Sequence, residues 1–243
     1  MGLRAFIRKK LNRGTNPVQA SDGYDHWSHC YDAEPGNLML VLDAALMAEL
    51  KGDLLFAGKT IADVGCGTGR YWQQWYAEGP ASLTGFDVSE GMLSQLKQKY
   101  PAALVQHIGP DQHLPLADSS CDVLLSNLAF AHFPSLEQCF SSWDRVAKAG
   151  ADIFLTDYHP DALSKGASVS FTHRDQTIFV RHYLYPLEQV MAAAGKLGWE
   201  TLGFTERVID DAVRHFYESQ QALAVFERFK NVKIIYGVHF RKR

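Results

Sequence analysis

Residues 61–70 read Ile-Ala-Asp-Val-Gly-Cys-Gly-Thr-Gly-Arg, and the fold turns on how they are parsed. Residues 61–64 are a short apolar run suited to a buried strand, and residues 69–78 read as a helix. Between them Gly65, Gly67 and Gly69 alternate after Asp63. Glycines at this spacing allow a tight turn and a close approach of backbone to a ligand. The helix N-terminus beyond offers unpaired N–H groups and positive dipole to a carboxylate or to ribose hydroxyls. A dinucleotide loop of the type G-x-G-x-x-G would need glycine where Arg70 stands, and a phosphate-binding G-K-[ST] does not follow.

Working outward, a second strand at residues 82–86 ends at Asp87, whose carboxylate can accept bonds from both hydroxyls of a ribose. Ser89 is a suitable N-cap for a helix running to Lys99. Further strands are expected at residues 103–108, 121–126 and 152–156, with a helix at 136–147. Strands alternating with helices imply an α/β fold, a parallel sheet covered on both faces. After residue 160 the rhythm changes. Residues 169–172 and 177–183 alternate around 174–176 as a β-hairpin, followed by a helix at 187–196, a strand at 201–204, a helix at 211–228 and a strand at 232–240. Upstream, residues 35–51 read as a helix with Leu38, Val41, Leu42, Ala45, Leu46 and Leu50 on its apolar side.

The chain has 243 residues, 47% hydrophobic and 21% charged, which suits one elaborated domain with a full core. A net charge of −3 gives no reason to expect a nucleic-acid partner. Cys30, Cys66, Cys121 and Cys139 form no C-x-x-C pair, so neither a metal site nor a disulfide framework is expected, and a reducing, cytoplasmic setting is. Residues 1–13 place Leu3, Phe6, Ile7 and Leu11 at helical spacing among five basic residues. They read as a basic N-terminal helix, with peripheral contact to an anionic membrane as the alternative. The expected division is residues 1–23 as that helix and a linker, and residues 24–243 as the main domain. Within it, 24–52 form a lid and first helix, and 161–186 an inserted cap over the substrate. An oligomeric state is not legible.

These residues resemble the class I S-adenosylmethionine-dependent methyltransferases of the small-molecule type, over roughly residues 20–205. The resemblance is carried by IADVGCGTGR (61–70), GFDVSEGML (85–93), LPLADSSCDVLLSNLAFAHF (114–133) and ADIFLTDYHP (151–160). It implies a Rossmann-like, mostly parallel seven-stranded sheet with a hairpin cap, and S-adenosyl-L-methionine as cofactor, leaving as S-adenosyl-L-homocysteine. Asp63, Gly65, Cys66, Gly67, Gly69 and Arg70 would hold the methionine moiety, and Asp87 the ribose. Val88 and Met92 would flank the adenine, and Asp111, Gln112 and His113 would close over its edge. Ser126, Asn127 and Leu128 would lie beneath the sulfonium. The early motif Y-D-x-x-A-x-x-Y-D stands here as YDHWSHCYD (24–32), with Ser28 in place of alanine, and would bring Tyr24 and Tyr31 to the cofactor as a lid.

Methyl transfer from a sulfonium is mostly a matter of aligning nucleophile and methyl group. A hydroxyl acceptor needs a base, a role for histidine, whereas a carboxylate acceptor needs a cationic clamp. His132 and His159, after the fourth and fifth strands, are the candidate catalytic residues, against the simpler readings of a packed turn residue and a His-Pro turn. Trp27, Tyr158, Arg174 and His182 are the candidate substrate contacts, while His173 and Arg181 are read as a solvated face. The expected function is O-methylation of a small, lipophilic molecule. C-methylation of a quinone-like or secondary metabolite and a non-catalytic scaffold are the alternatives.

Overall fold

The computed structural model describes residues 16–33, 37–173 and 176–243. Strands β1 (Thr60–Val64), β2 (Ser82–Asp87), β3 (Leu104–His107), β4 (Cys121–Asn127) and β5 (Ala147–Tyr158) alternate with helices α3 (Trp72–Ala77), α4 (Glu90–Lys99) and α5 (Leu136–Val146). They are followed by α6 (Pro160–Ser164), the hairpin β6 (Ser170–His173) and β7 (Gln176–Phe179), α7 (Leu187–Lys196), β8 (Trp199–Val208), α8 (Arg214–Ser219), α9 (Leu223–Phe229) and β9 (Lys233–Lys242). Two helices precede the first strand, α1 (Ala20–Trp27) and α2 (Leu38–Lys51).

The main sheet has the order β3-β2-β1-β4-β5-β9-β8. All pairs up to β4–β5 are parallel, and β9 runs antiparallel to both β5 and β8. The sheet is thus mostly parallel and seven-stranded, with one reversed strand. Ile61 to Val64 are all buried because β1 has strands on both sides and helices on both faces. The strand order reverses between β1 and β4, and ligands of open α/β sheets bind at the carboxyl ends of strands flanking such a point. The glycine loop leaves β1 there, and a 3-10 turn at Phe130–His132 leaves β4.

Three local expectations need correction. Residues 1–23 were expected as a basic helix and a linker, yet α1 starts at Ala20, so the aromatic segment that follows begins within a helix and ends in a turn at Tyr31–Ala33. The buried stripe of α2 is Leu38, Met39, Leu42, Asp43, Leu46 and Met47, while Val41 and Ala45 are exposed. The helix rotates so that Asp43 can be satisfied inside, which a purely apolar count does not anticipate. The helix expected at 211–228 is broken: Asp211–Val213 is a 3-10 turn, and Gln221 adopts a left-handed φ of 53° between α8 and α9.

The hairpin β6–β7 stands apart from the main sheet. Its end is tied back to the start of the described chain, with Val18 N–H donating to Phe179 O at 2.9 Å and Arg181 N–H to Val18 O at 2.8 Å. Phe171 on β6 stacks on Trp27 of α1, ring centroids 4.8 Å apart.

Candidate functional site

The glycine loop needs its glycines where the backbone turns hardest. Gly65 has φ +75°, and a Cβ there would meet Ala129 Cβ at 2.2 Å, so the loops after β1 and β4 touch through it. Gly67 has φ +53° with nothing within 4 Å of an added Cβ, and it lines a cavity of about 530 Å³. That open cradle beside a carboxylate is what a ribose-bearing ligand requires.

Asp87 ends β2 on the same cavity. Its Oδ2 accepts from Gly67 N–H at 2.8 Å and its Oδ1 from Ser89 N–H at 2.9 Å. Burial pushes its carboxyl up to about 6, against the pull of those N–H donors. Each oxygen keeps a second lone pair for a ligand hydroxyl. Val88, Met92, Ile108, Gly109, Pro110 and Gln112 extend the wall on this side.

The opposite wall is built from the loop after β4 and from α1. His132 ends the 3-10 turn, whose amide at Ala131 donates to the buried carboxylate of Asp157 at 2.5 Å. The His132 ring is engaged at both nitrogens, Nδ1 with Arg181 O at 2.7 Å and Nε2 with Tyr24 Oη at 2.9 Å. A carbonyl only accepts, so Nδ1 carries the proton. Burial pushes the imidazole down to about 4, so the ring is neutral and Nε2 accepts from the Tyr24 hydroxyl. Tyr24, Tyr31, Asn127, Leu128, Ala129, Phe133, Pro134, Arg181 and Tyr183 complete the lining here.

The acids of YDHWSHCYD tie α1 and the turn after it to α4 and the glycine loop. Asp25 Oδ1 accepts from Ser89 Oγ at 2.6 Å and from Gly91 N–H at 2.8 Å, at the N-terminus of α4. Asp32 accepts from Thr68 Oγ1 in the glycine loop at 2.7 Å and pairs with Lys99 of α4 at 2.9 Å.

Of the expected site residues, the structure gathers Tyr24, Tyr31, Gly65, Gly67, Asp87, Val88, Met92, Gln112, Asn127, Leu128 and His132 on one cavity. The others stand off it. Asp63 is buried behind the loop, accepting from Trp72 Nε1 at 2.7 Å, and burial pushes it up to about 7. Cys66 is buried, and Gly69 packs against Leu96 and Trp72. Arg70 turns away to Asp43 and to Leu40 O. Asp111 and His113 are exposed outside the cavity. Trp27 and Tyr158 belong to the hydrophobic core. His159 is 3% exposed, its Nδ1 accepting from Asp161 N–H at 3.1 Å as N-cap of α6 and its Nε2 bonded to Glu206 at 2.8 Å. His182 is half-buried, with Nδ1 3.4 Å from Val180 O, and does not line the cavity. Arg174 and residues 1–13 lie outside the described residues.

Three residues escaped the sequence reading. Arg181 is exposed, as its reading on a solvated face had it, but it also lines the cavity. Asp157 caps the His132 turn. Asp43 joins Arg70, Tyr71 and Thr156, and Thr156 Oγ1 in turn receives Asn127 Nδ2 at 2.9 Å, so a chain of bonds orients Asn127. A single carboxylate inside the apolar run of α2 was the visible signal for the last.

Residues 62–155 match the family described as "Methyltransferase domain". The malonyl-[acyl-carrier protein] O-methyltransferase of Pectobacterium atrosepticum is 31% identical over 109 residues, 45% of this chain and 42% of that protein. An uncharacterized methyltransferase of Emericella nidulans is 24% identical over 221 residues, 75% of this chain and 76% of that one. The chain spans between 27% and 42% of the first three curated relatives it matches. In fold it is similar to an S-adenosylmethionine-dependent methyltransferase from Mesorhizobium loti, TM-score 0.60 at 16% identity, covering 91% of this chain and 99% of that one.

Proposed function

Since this chain carries a class I S-adenosylmethionine-dependent methyltransferase domain, we propose that it transfers a methyl group from S-adenosylmethionine to an oxygen of a small, largely apolar molecule. The observation that carries the proposal is the shared cavity. The glycine loop and Asp87 form one wall, and Leu128, Ala129, Phe133 and Pro134 with His132 and Tyr24 form the other. In this reading the Asp87 carboxylate receives the ribose hydroxyls, Gly65 and Gly67 give the methionine moiety room, and Val88 and Met92 flank the adenine. Tyr24 and Tyr31 close the site against water, which protects the sulfonium and strengthens the polar contacts around it. His132 holds the Tyr24 hydroxyl in place. The relatives named as O-methyltransferases support oxygen as the acceptor atom.

No helix among the described residues is long and apolar enough to cross a membrane. Calorimetric titration with S-adenosylmethionine and S-adenosylhomocysteine tests the cofactor reading. Binding is expected, and Asp87→Asn should weaken it by roughly ten- to a hundredfold, as the loss of charge-assisted bonds implies. No affinity for either compound would falsify the proposal.

A further inference from the structure

Gln112 brings a nearly buried carboxamide without a partner to the same cavity wall as Asp87. From it we infer that this site reads the far edge of a purine with a group that turns over, and so accepts the 6-oxo base hypoxanthine as well as adenine. The inference rests on the methyl-transfer reading above, which puts the ribose on Asp87 and the base beyond it.

The loop that carries Gln112 is pinned at both ends. Ile108 N–H donates to Asp87 O at 3.0 Å, and Leu114 N–H to Ser142 Oγ at 2.9 Å. Between these anchors residues 109–112 form a turn closed by Gln112 N–H on Gly109 O at 3.0 Å, with Pro110 where a proline φ fits. Gln112 leaves the turn at a left-handed φ of 56°, which few residues other than glycine adopt. Its N–H is spent inside the loop, so its side chain is what it offers a ligand. Gln112 is 3% exposed and borders the cavity. Its carboxamide has no hydrogen-bond partner among the described residues, yet neither polar atom is sealed inside the protein. The polar end of the side chain therefore opens on the cavity. A carboxamide so nearly buried is costly to leave unpaired, and a ligand with matching groups offsets that cost.

No carboxylate competes for this edge. Asp87 is the one acid among the described residues that line the cavity, and it is assigned to the ribose. Asp111, next to Gln112 in the chain, is exposed outside the cavity. His107 is committed through Nε2–H to Val88 O at 3.0 Å. The base thus meets an uncharged group with a donor and an acceptor side by side. On the edge remote from the ribose, adenine presents an amine at C6 beside the N1 acceptor. Hypoxanthine presents the reverse, a carbonyl at C6 beside N1–H. A carboxamide meets either pattern with two bonds, because a half turn exchanges Oε1 and Nε2. A carboxylate would accept from adenine but set an oxygen against the oxygen of hypoxanthine. Among the described residues nothing holds the Gln112 amide one way round, so the half turn breaks no bond within the protein.

S-adenosylhomocysteine and its 6-oxo counterpart S-inosylhomocysteine, titrated calorimetrically into the full chain, separate the possibilities. Their dissociation constants should agree within about tenfold, whereas a reader fixed for adenine would reject the 6-oxo base by roughly ten-thousandfold. Gln112→Leu should weaken both compounds by roughly tenfold, as the loss of two hydrogen bonds implies. Gln112→Asn keeps a carboxamide and suits the left-handed backbone, so it should recover part of both affinities. A gap wider than about tenfold between the two compounds in the parent protein would overturn the inference. So would affinities that Gln112→Leu leaves unchanged, or that Gln112→Asn lowers as far as Gln112→Leu does. Failure to bind either compound would instead remove the methyl-transfer reading beneath it.

Discussion

His132 owes its state to neighbours on three separate segments. Asp157 on β5 fixes the turn, the Arg181 carbonyl after the hairpin accepts from Nδ1–H, and Tyr24 on α1 donates to Nε2. A ring held this way stays neutral near physiological pH, since burial lowers it to about 4. Nitrogen-detected NMR at neutral pH should report the Nδ1–H tautomer, with no protonation down to about pH 5. Observation of the Nε2–H tautomer would contradict the carbonyl contact. That Gly65, Gly67 and Asp87 share one cavity was legible because the signal is local: a strand, a turn and a helix N-terminus lie within a few residues. Arg70 was misread for the opposite reason. Its partner Asp43 is 27 residues upstream on another helix, and nothing near Arg70 in the chain reveals it. His159 illustrates the same point. The His-Pro pair is a helix cap, as the plain turn reading allowed, and Glu206 joins it from 47 residues away.

At the scale of elements, α1, the lid of the proposed function, is docked by charge as well as by packing. Trp27 is sandwiched between Tyr24 and Phe171, with stacked centroids at 5.8 and 4.8 Å. Asp25 and Asp32 reach in opposite directions, to the start of α4 and to the glycine loop. Each contact crosses to a segment that also borders the cavity, so opening the lid means breaking both. Asp25→Ala with Asp32→Ala should speed amide exchange across residues 20–33 by about tenfold, which mass spectrometry would detect. Exchange unchanged from the parent chain would mean that aromatic packing alone holds the lid. Sequence reading found the motif but not its helix, because alternating aromatic and acidic residues show no clean apolar period. The hairpin was easier, since strict alternation on both sides of a polar turn has few other readings.

For the whole molecule, three buried carboxylates around one cavity tie stability to pH. Burial raises Asp63 and Asp157 to about 7 and Asp87 to about 6, well above the ordinary aspartate value near 3.9. The folded chain therefore binds more protons than the unfolded one across this interval. The stability they contribute is complete below the ordinary value and is lost as pH rises through 6 to 7. His132 works the other way, but only as pH falls below about 6.5. Between about pH 6.5 and about pH 8 the carboxylates dominate, and the melting temperature of the ligand-free protein should drop by roughly a few degrees. Asp157→Asn should flatten that slope in scanning calorimetry, whereas a melting temperature that climbs over the same interval would refute the assignment. The sheet order carries a different consequence, for biosynthesis. β9 is made after both β5 and β8, yet it lies between them and pairs with both along its length. Until residues 233–242 leave the ribosome, β5 and β8 each keep a raw edge that can pair with another chain. This domain is therefore most vulnerable to aggregation just before β9 arrives.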